Sequence, residues 1–457
     1  MLTLFATLGR CTVSSSILLA LILSSFWAAA QEGQSIPEML TVGGAPAIRN
    51  YSPDEYKAHN QIWAIVQDAR GVMYFANSEG ISEYDGVSWR LIPLAANTIG
   101  RSLAINDEGR IFAGCYGEFG YLAPDTNQQL QYVSLLPHVE EKYRNFTDVW
   151  QTISVGDYIY FVTQKYIFRW DGKKMDRYTA KFSFHVGFDV NDHFYVRQHK
   201  VGLMHIITDS LVMAPAGELL ATERVMSMLP FPSGGPNQIL MATRSNGLLV
   251  YDGQSIKPFI TEADPILKEG QLYCGAALAD GHYAFGTIQS GGVIIDAQGK
   301  IQQSLNKSTG LPDETIWYLY PDRQNGLWIG MHLGISRVEV SAPFTHFGEK
   351  QGLEGSALEI IRHNQYLYAA TSMGIFYLDE SVGGISRPGY FKKVSDVSPQ
   401  AWALLPFDDV LLGGCFDGVY EIIGGKGRLI NATYAMSLAR SKKDPNRVFV
   451  GLQKGMK

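Results

Sequence analysis

The sequence predicts an all-β protein made of propeller blades: a seven-bladed β-propeller followed by the first three blades of a second, incomplete propeller. Three observations carry that expectation. One unit recurs about ten times along the 457 residues, reading as a short apolar strand, an Asp/Asn/Gly turn, an aromatic-plus-small strand and a Gly that opens a third strand. The copies recur at about the 40–50 residues that one four-stranded blade requires. Apolar and polar residues alternate with period two inside each copy, and no convincing helical periodicity separates them, which disfavours a helical solenoid.

The elements follow in order. Arg10, the apolar run 17–23 and the Ala28–Ala30 triplet read as the charged, apolar and cleavage regions of a secretory signal over residues 1–30. The apolar run is short for a bilayer span of about 20 residues, so the mature chain is expected outside the cytoplasm, in the periplasm, with membrane attachment only through an uncleaved signal or a segment beyond Lys457. The first copy begins at Ile62-Trp63-Ala64 and passes through the turn at Asp68 and Gly71 to Tyr74, then to Gly80-Ile81. Aligning copies on the large residue before the small pair gives Tyr74, Phe112, Tyr160, Tyr195, Leu240, Ala284, Trp328, Tyr368, Leu412 and Phe449. Ten copies exceed one ring, because propellers hold four to eight blades. The register breaks at Ser341-Ala342-Pro343-Phe344-Thr345-His346-Phe347, so residues 45–340 are expected to form the seven-bladed ring and residues 343–457 the partial second one. A ring must bury its last edge, so residues 47–51 are expected to pair as the outermost strand of the seventh blade, beside 335–340.

Composition bounds the function. With 46% hydrophobic and 18% charged residues and 47 glycines, the chain is folded and rich in turns. A net charge of −6 without a Lys/Arg-rich block argues against nucleic acid as a partner. After the signal, Cys115, Cys274 and Cys415 remain, without metal-ligand spacing, and are expected as buried structural thiols. His193 and His199 flank opposite ends of one strand, roughly 20 Å apart at strand rise, so the densest histidine cluster does not suggest a metal site. No phosphate loop, dinucleotide fingerprint, nucleophile elbow or zinc-protease motif is convincing, and neither a cofactor nor a catalytic residue is expected.

The Asp68/Gly71/Tyr74 and Asp322/Gly326/Trp328 turns and strands, the Gly80-Ile81 and Gly334-Ile335 strand openings and the Ala342–Phe347 segment resemble the two-component regulator propeller repeats. That resemblance covers about residues 45–457. It implies the extracytoplasmic sensor region of a bacterial membrane regulator, in which paired propellers precede an immunoglobulin-like domain, a transmembrane helix and an output module such as a histidine kinase. On that reading this chain is an N-terminal fragment of such a regulator and performs no output chemistry itself.

Propeller geometry gathers the loops between second and third strands, and the starts of first strands, on one face. The candidate ligand-binding residues there are Trp63, Tyr116, Trp150, Gln198, Arg244, Gln289, Trp317 and His332. Aromatic rings beside planar hydrogen-bonding groups suit an oligosaccharide, whose apolar ring face stacks while its hydroxyls are bonded. The leading expectation is therefore a non-catalytic sensor of an oligosaccharide or related small ligand. The rivals are a propeller-fold carbohydrate-active enzyme or lyase and a protein-interaction scaffold, with a homodimer through the propellers as a further partner.

Overall fold

Each repeat folds into one antiparallel sheet with its strands in chain order. In the computed structural model the described residues are 43–207, 209–235, 237–379, 389–397 and 400–457; the signal segment expected at residues 1–30 lies outside them. The first sheet contains Ile62–Gln67, Met73–Asn77, Gly80–Tyr84 and Trp89–Ile92. Five further four-stranded sheets follow, whose first strands are Gly100–Ile105, Gln151–Val155, Phe184–Val190, Val225–Pro230 and Leu272–Ala277. All the aligned residues from Tyr74 to Phe449 lie in second strands, as the alternation implied.

The next sheet takes three strands from its own repeat, Ile316–Pro321, Leu327–Met331 and Ile335–Val338, and its fourth from the start of the chain, Ile48–Tyr51. Ile48 pairs with Val338 and Tyr51 with Ile335, which is the edge-closing pairing expected from sequence. Its inner strand neighbours that of the first sheet, so the seven inner strands follow one another in a closed circuit. Two four-stranded sheets follow, with first strands Ala357–His363 and Ala401–Phe407, and then a two-stranded sheet of Ser437–Arg440 and Val448–Gly451. Helix is confined, among the described residues, to Pro53–Tyr56, Asp264–Glu269 and short 3₁₀ turns.

The core lies between sheets. Tyr74, Ala76 and Ile81 of the first pack on Leu103, Ala113 and Leu122 of the second, and Phe112 and Phe119 of the second on Phe161 and Phe168 of the third. The closing strand obeys the same logic: Tyr51 is 4% exposed and stacks on Trp328, with ring centroids 5.4 Å apart and planes at 22°. The repeated aspartate also has a packing role. Asp322 accepts the backbone N–H groups of Gln324 and Gly326, while its other oxygen accepts Trp328 Nε1 at 2.9 Å and Arg337 Nε at 2.7 Å. Asp68 does the same for Arg70, Val72 and the Tyr74 hydroxyl. Gly80 sits at φ +147°, and a Cβ there would lie 2.5 Å from the Ile92 carbonyl oxygen, so the start of the third strand excludes side chains.

Candidate functional site

One irregularity in the inner strands builds the site. A register shift interrupts six of the seven, between Ile62 and Ala64, Gly100 and Ser102, Phe184 and Gly187, Val225 and Ser227, Leu272 and Cys274, and Ile316 and Tyr318. A bulge sets two residues against one and re-aims the extra side chain away from the alternating pattern. The extra residues are Trp63, Arg101, the pair His185 and Val186, Met226, Tyr273 and Trp317, and all of them line one cavity of about 460 Å³. The third sheet lacks the bulge and supplies Trp150 and Gln151 from the start of its inner strand instead. Gln164 and Arg244 reach the same cavity from loops that follow second strands.

Its aromatic wall is continuous. Trp63 stacks on Trp317 with centroids 5.3 Å apart at 28°, and meets Trp150 edge-on at 6.3 Å. Tyr273 meets Trp317 edge-on at 4.9 Å. The Arg101 guanidinium lies 4.4 Å from the Trp63 ring centroid and 5.0 Å from that of Trp150, and its Nε donates to Asp148 at 2.6 Å. A desolvated cation over indole faces is held by the ring quadrupoles as well as by its carboxylate. The indole N–H groups of Trp63 and Trp317, the Ser227 hydroxyl and Nδ1 of His185 are buried without a hydrogen-bond partner. Burial, and then the charges of Arg224, Arg197 and Arg244, lower the His185 pKa to about 4, so its imidazole is neutral near pH 7. Burial raises the Tyr273 hydroxyl pKa and pushes the Cys274 thiol up to about 12. Cys274 lines the cavity wall and is partly exposed as a residue, whereas Cys115 and Cys415 are buried.

The residues singled out from sequence divide by position. Trp63, Trp150, Arg244 and Trp317 line the cavity. His332 stands behind Trp317, with centroids 6.5 Å apart, and its Nδ1 is 2.9 Å from Gln61 Nε2. Tyr116 is 52% exposed and bridges to Asp148 through its backbone, outside the cavity lining. Gln289 is exposed and also outside it. Gln198 is 4% exposed, and its Oε1 accepts the backbone N–H groups of Lys181 and Phe182, holding down a loop. Sequence reasoning missed Arg101, Arg224 and Tyr273. Their signal was available, because Arg101 and Tyr273 occupy the repeat position of Trp63.

Residues 310–332 match the family described as two component regulator propeller. An extracellular domain ascribed to a hybrid two component system of B. thetaiotaomicron is similar in structure at 16% identity and TM-score 0.61, with 90% of this chain and 58% of that one covered. A second such domain from the same organism gives 13% identity and TM-score 0.52 over the same shares. The chain thus spans 58% of the length of these two domains. A streptogramin B lyase is similar at 9% identity and TM-score 0.51, covering 64% of this chain and 97% of its own. These likenesses establish the all-β propeller fold. No curated protein matches the sequence.

Proposed function

We propose that this chain is the ligand-sensing extracytoplasmic part of a bacterial membrane signalling regulator, and that its ligand binds without catalysis in the cavity at the axis of a seven-bladed propeller. The closed circuit of inner strands supports the seven-blade count. The three later sheets then correspond to the start of a second propeller. The matched repeat family and the two extracellular domains of regulators support a sensor role and a location outside the cytoplasm.

The observation that carries the proposal is the convergence of Trp63, Trp150, Tyr273 and Trp317 with Arg101, Arg244 and Gln164 on one cavity. Flat apolar faces beside fixed donors are what a pyranose ring requires, with its C–H face on an indole and its hydroxyls on polar groups. Binding is favoured over catalysis because Nδ1 of His185 has no carboxylate to orient it. The test is calorimetric titration of the whole chain with a panel of oligosaccharides, against Trp63→Ala and Trp317→Ala variants whose melting is checked. A bound glycan should lose at least tenfold in affinity in each variant. Unchanged affinity in both folded variants would remove the ligand from this cavity, and product formation would replace the sensor with an enzyme.

A further inference from the structure

Charge is unevenly distributed around the cavity. The chain carries a formal net charge of −6, yet the cavity wall holds Arg101, Arg224 and Arg244 against a single carboxylate, Asp189. Arg101 is neutralised by Asp148 at 2.6 Å. Arg244 instead donates to the neutral amide oxygen of Gln271 at 2.7 Å. Arg224 has an exposed side chain that meets no carboxylate in a salt bridge among the described residues. The two are set side by side by the backbone, since the Arg244 N–H donates to the Arg224 carbonyl at 2.9 Å.

The surroundings do not cancel this charge. Arg197 is 2% exposed and donates to the carbonyls of Leu220 and Ala221, at 3.2 and 2.6 Å, rather than to a carboxylate. Glu223 lies close by and keeps its charge, one oxygen accepting the backbone N–H groups of Arg224 and Ser245 at 3.1 and 3.0 Å, so it offsets part of the charge of Arg197, Arg224 and Arg244 and leaves the sector cationic. Asp189 lies four residues beyond His185 in the strand Phe184–Val190, about 13 Å away at strand rise. Arg224, Arg244 and His185 line the same cavity, and the charges of Arg224, Arg197 and Arg244 all lower the His185 pKa. Tyr273 joins this sector to the aromatic wall, since it lines the same cavity as Arg244 and meets Trp317 edge-on at 4.9 Å.

We infer that Arg224 and Arg244, beside His185, form an anion subsite, and that the ligand is an acidic saccharide whose ring covers the indoles while its carboxylate or sulfate meets the two guanidinium groups. This rests on the cavity being the ligand site. Two planar forks carried on hydrogen-bonded neighbouring backbones can bind an oxyanion through several charge-assisted hydrogen bonds. Cations with no anionic partner gain more from such a ligand than the already paired Arg101 would.

The experiment titrates the whole chain with trigalacturonate, a sulfated galactotriose and neutral galactotriose, against wild type and the Arg224→Gln, Arg244→Gln, Arg244→Lys and Trp317→Ala variants, each checked by thermal melting. At least one charged probe should bind tenfold or more tightly than galactotriose, and the preferred one distinguishes carboxylate from sulfate. Each Gln variant should remove that preference, Arg244→Lys should keep part of it, and added salt should weaken the charged probe alone. Equal binding of neutral and charged probes, with Trp317→Ala weakening both, overturns the anion subsite and leaves the cavity reading standing. Charged-probe binding that survives both Gln substitutions, or no binding by either charged probe, also overturns it. Binding untouched by Trp317→Ala and by both Gln variants overturns the cavity reading itself.

Discussion

His185 shows how much of the site depends on single residues in unusual surroundings. Its ring is largely buried, and the charges of three arginines add to that, so the folded protein binds its proton less readily than the unfolded chain does. The sign follows directly: where the unfolded state takes up more protons, stability rises with pH. Stability should therefore fall as pH drops from about 6.5, the ordinary histidine value, to about 4, and the histidine contribution should level off below that. Urea unfolding of wild type and His185→Gln across this window isolates the effect, since carboxylates titrate alike in both. The wild-type stability should decline relative to the variant as the solution is acidified; parallel curves would show that His185 is not held neutral. The sequence marked the tryptophans as site residues because large aromatics at strand starts are visible without any register. Arg101 and Tyr273 were legible only by aligning them with Trp63 in the repeat, since period-two alternation alone assigns them a facing that the bulge then changes. Gln198 looked like a loop donor, but its place at the end of His193–Gln198 turns the amide under residues 181 and 182.

At the scale of elements, one bulge repeated in successive inner strands turns a packing fold into a lined cavity. Alternation and turn residues were enough to place second strands and to foresee the closing strand, because both follow from burying edges. The bulges themselves leave no composition mark at these positions, where Trp, Arg, Met and Tyr all occur. The closing strand is short, and its hold comes from packing. Besides stacking on Trp328, Tyr51 meets Trp89 edge-on at 5.6 Å, while Asn50 accepts from Ser336 Oγ at 2.6 Å and donates to the Gly310 carbonyl at 3.0 Å. Tyr51→Ala empties a buried aromatic position between two sheets and should cost roughly 3–5 kcal/mol. Asn50→Ala should cost about 2 kcal/mol, for two bonds with a usual net worth of about 1 kcal/mol each. Equilibrium unfolding in urea checks both, and a Tyr51→Ala loss no larger than that of Asn50→Ala would mean that the strand does not secure the ring.

Across the whole molecule, the described residues from 43 onward cluster as one compact unit. Each of the first seven sheets packs against a neighbour on both sides. Among the described residues, hydrogen bonds link residues 343–457 to the earlier part of the chain: Ala45 with His346 at 2.9 Å in both directions, the Gly44 N–H to Thr345 Oγ1 at 3.0 Å, Gln351 Nε2 to the Ser308 carbonyl at 3.0 Å, and the Gly389 N–H to the Gly43 carbonyl at 3.1 Å. Each such bond contributes only about 1 kcal/mol net. Within this part, the inner strand Ala357–His363 leaves Leu358 50% and Ile360 58% exposed, and the final two-stranded sheet has no fully buried residue. Repeat arrays draw their stability from the interfaces between neighbours, so a part with fewer such interfaces opens at lower free energy. Limited trypsin digestion followed by mass spectrometry should therefore remove the later sheets first and leave a resistant fragment ending between Arg337 and Lys350. Equal resistance of both parts, with the protein monomeric by light scattering, would contradict this difference in stability. Equal resistance in a dimer would mean that a second copy covers the strand exposed at Leu358 and Ile360.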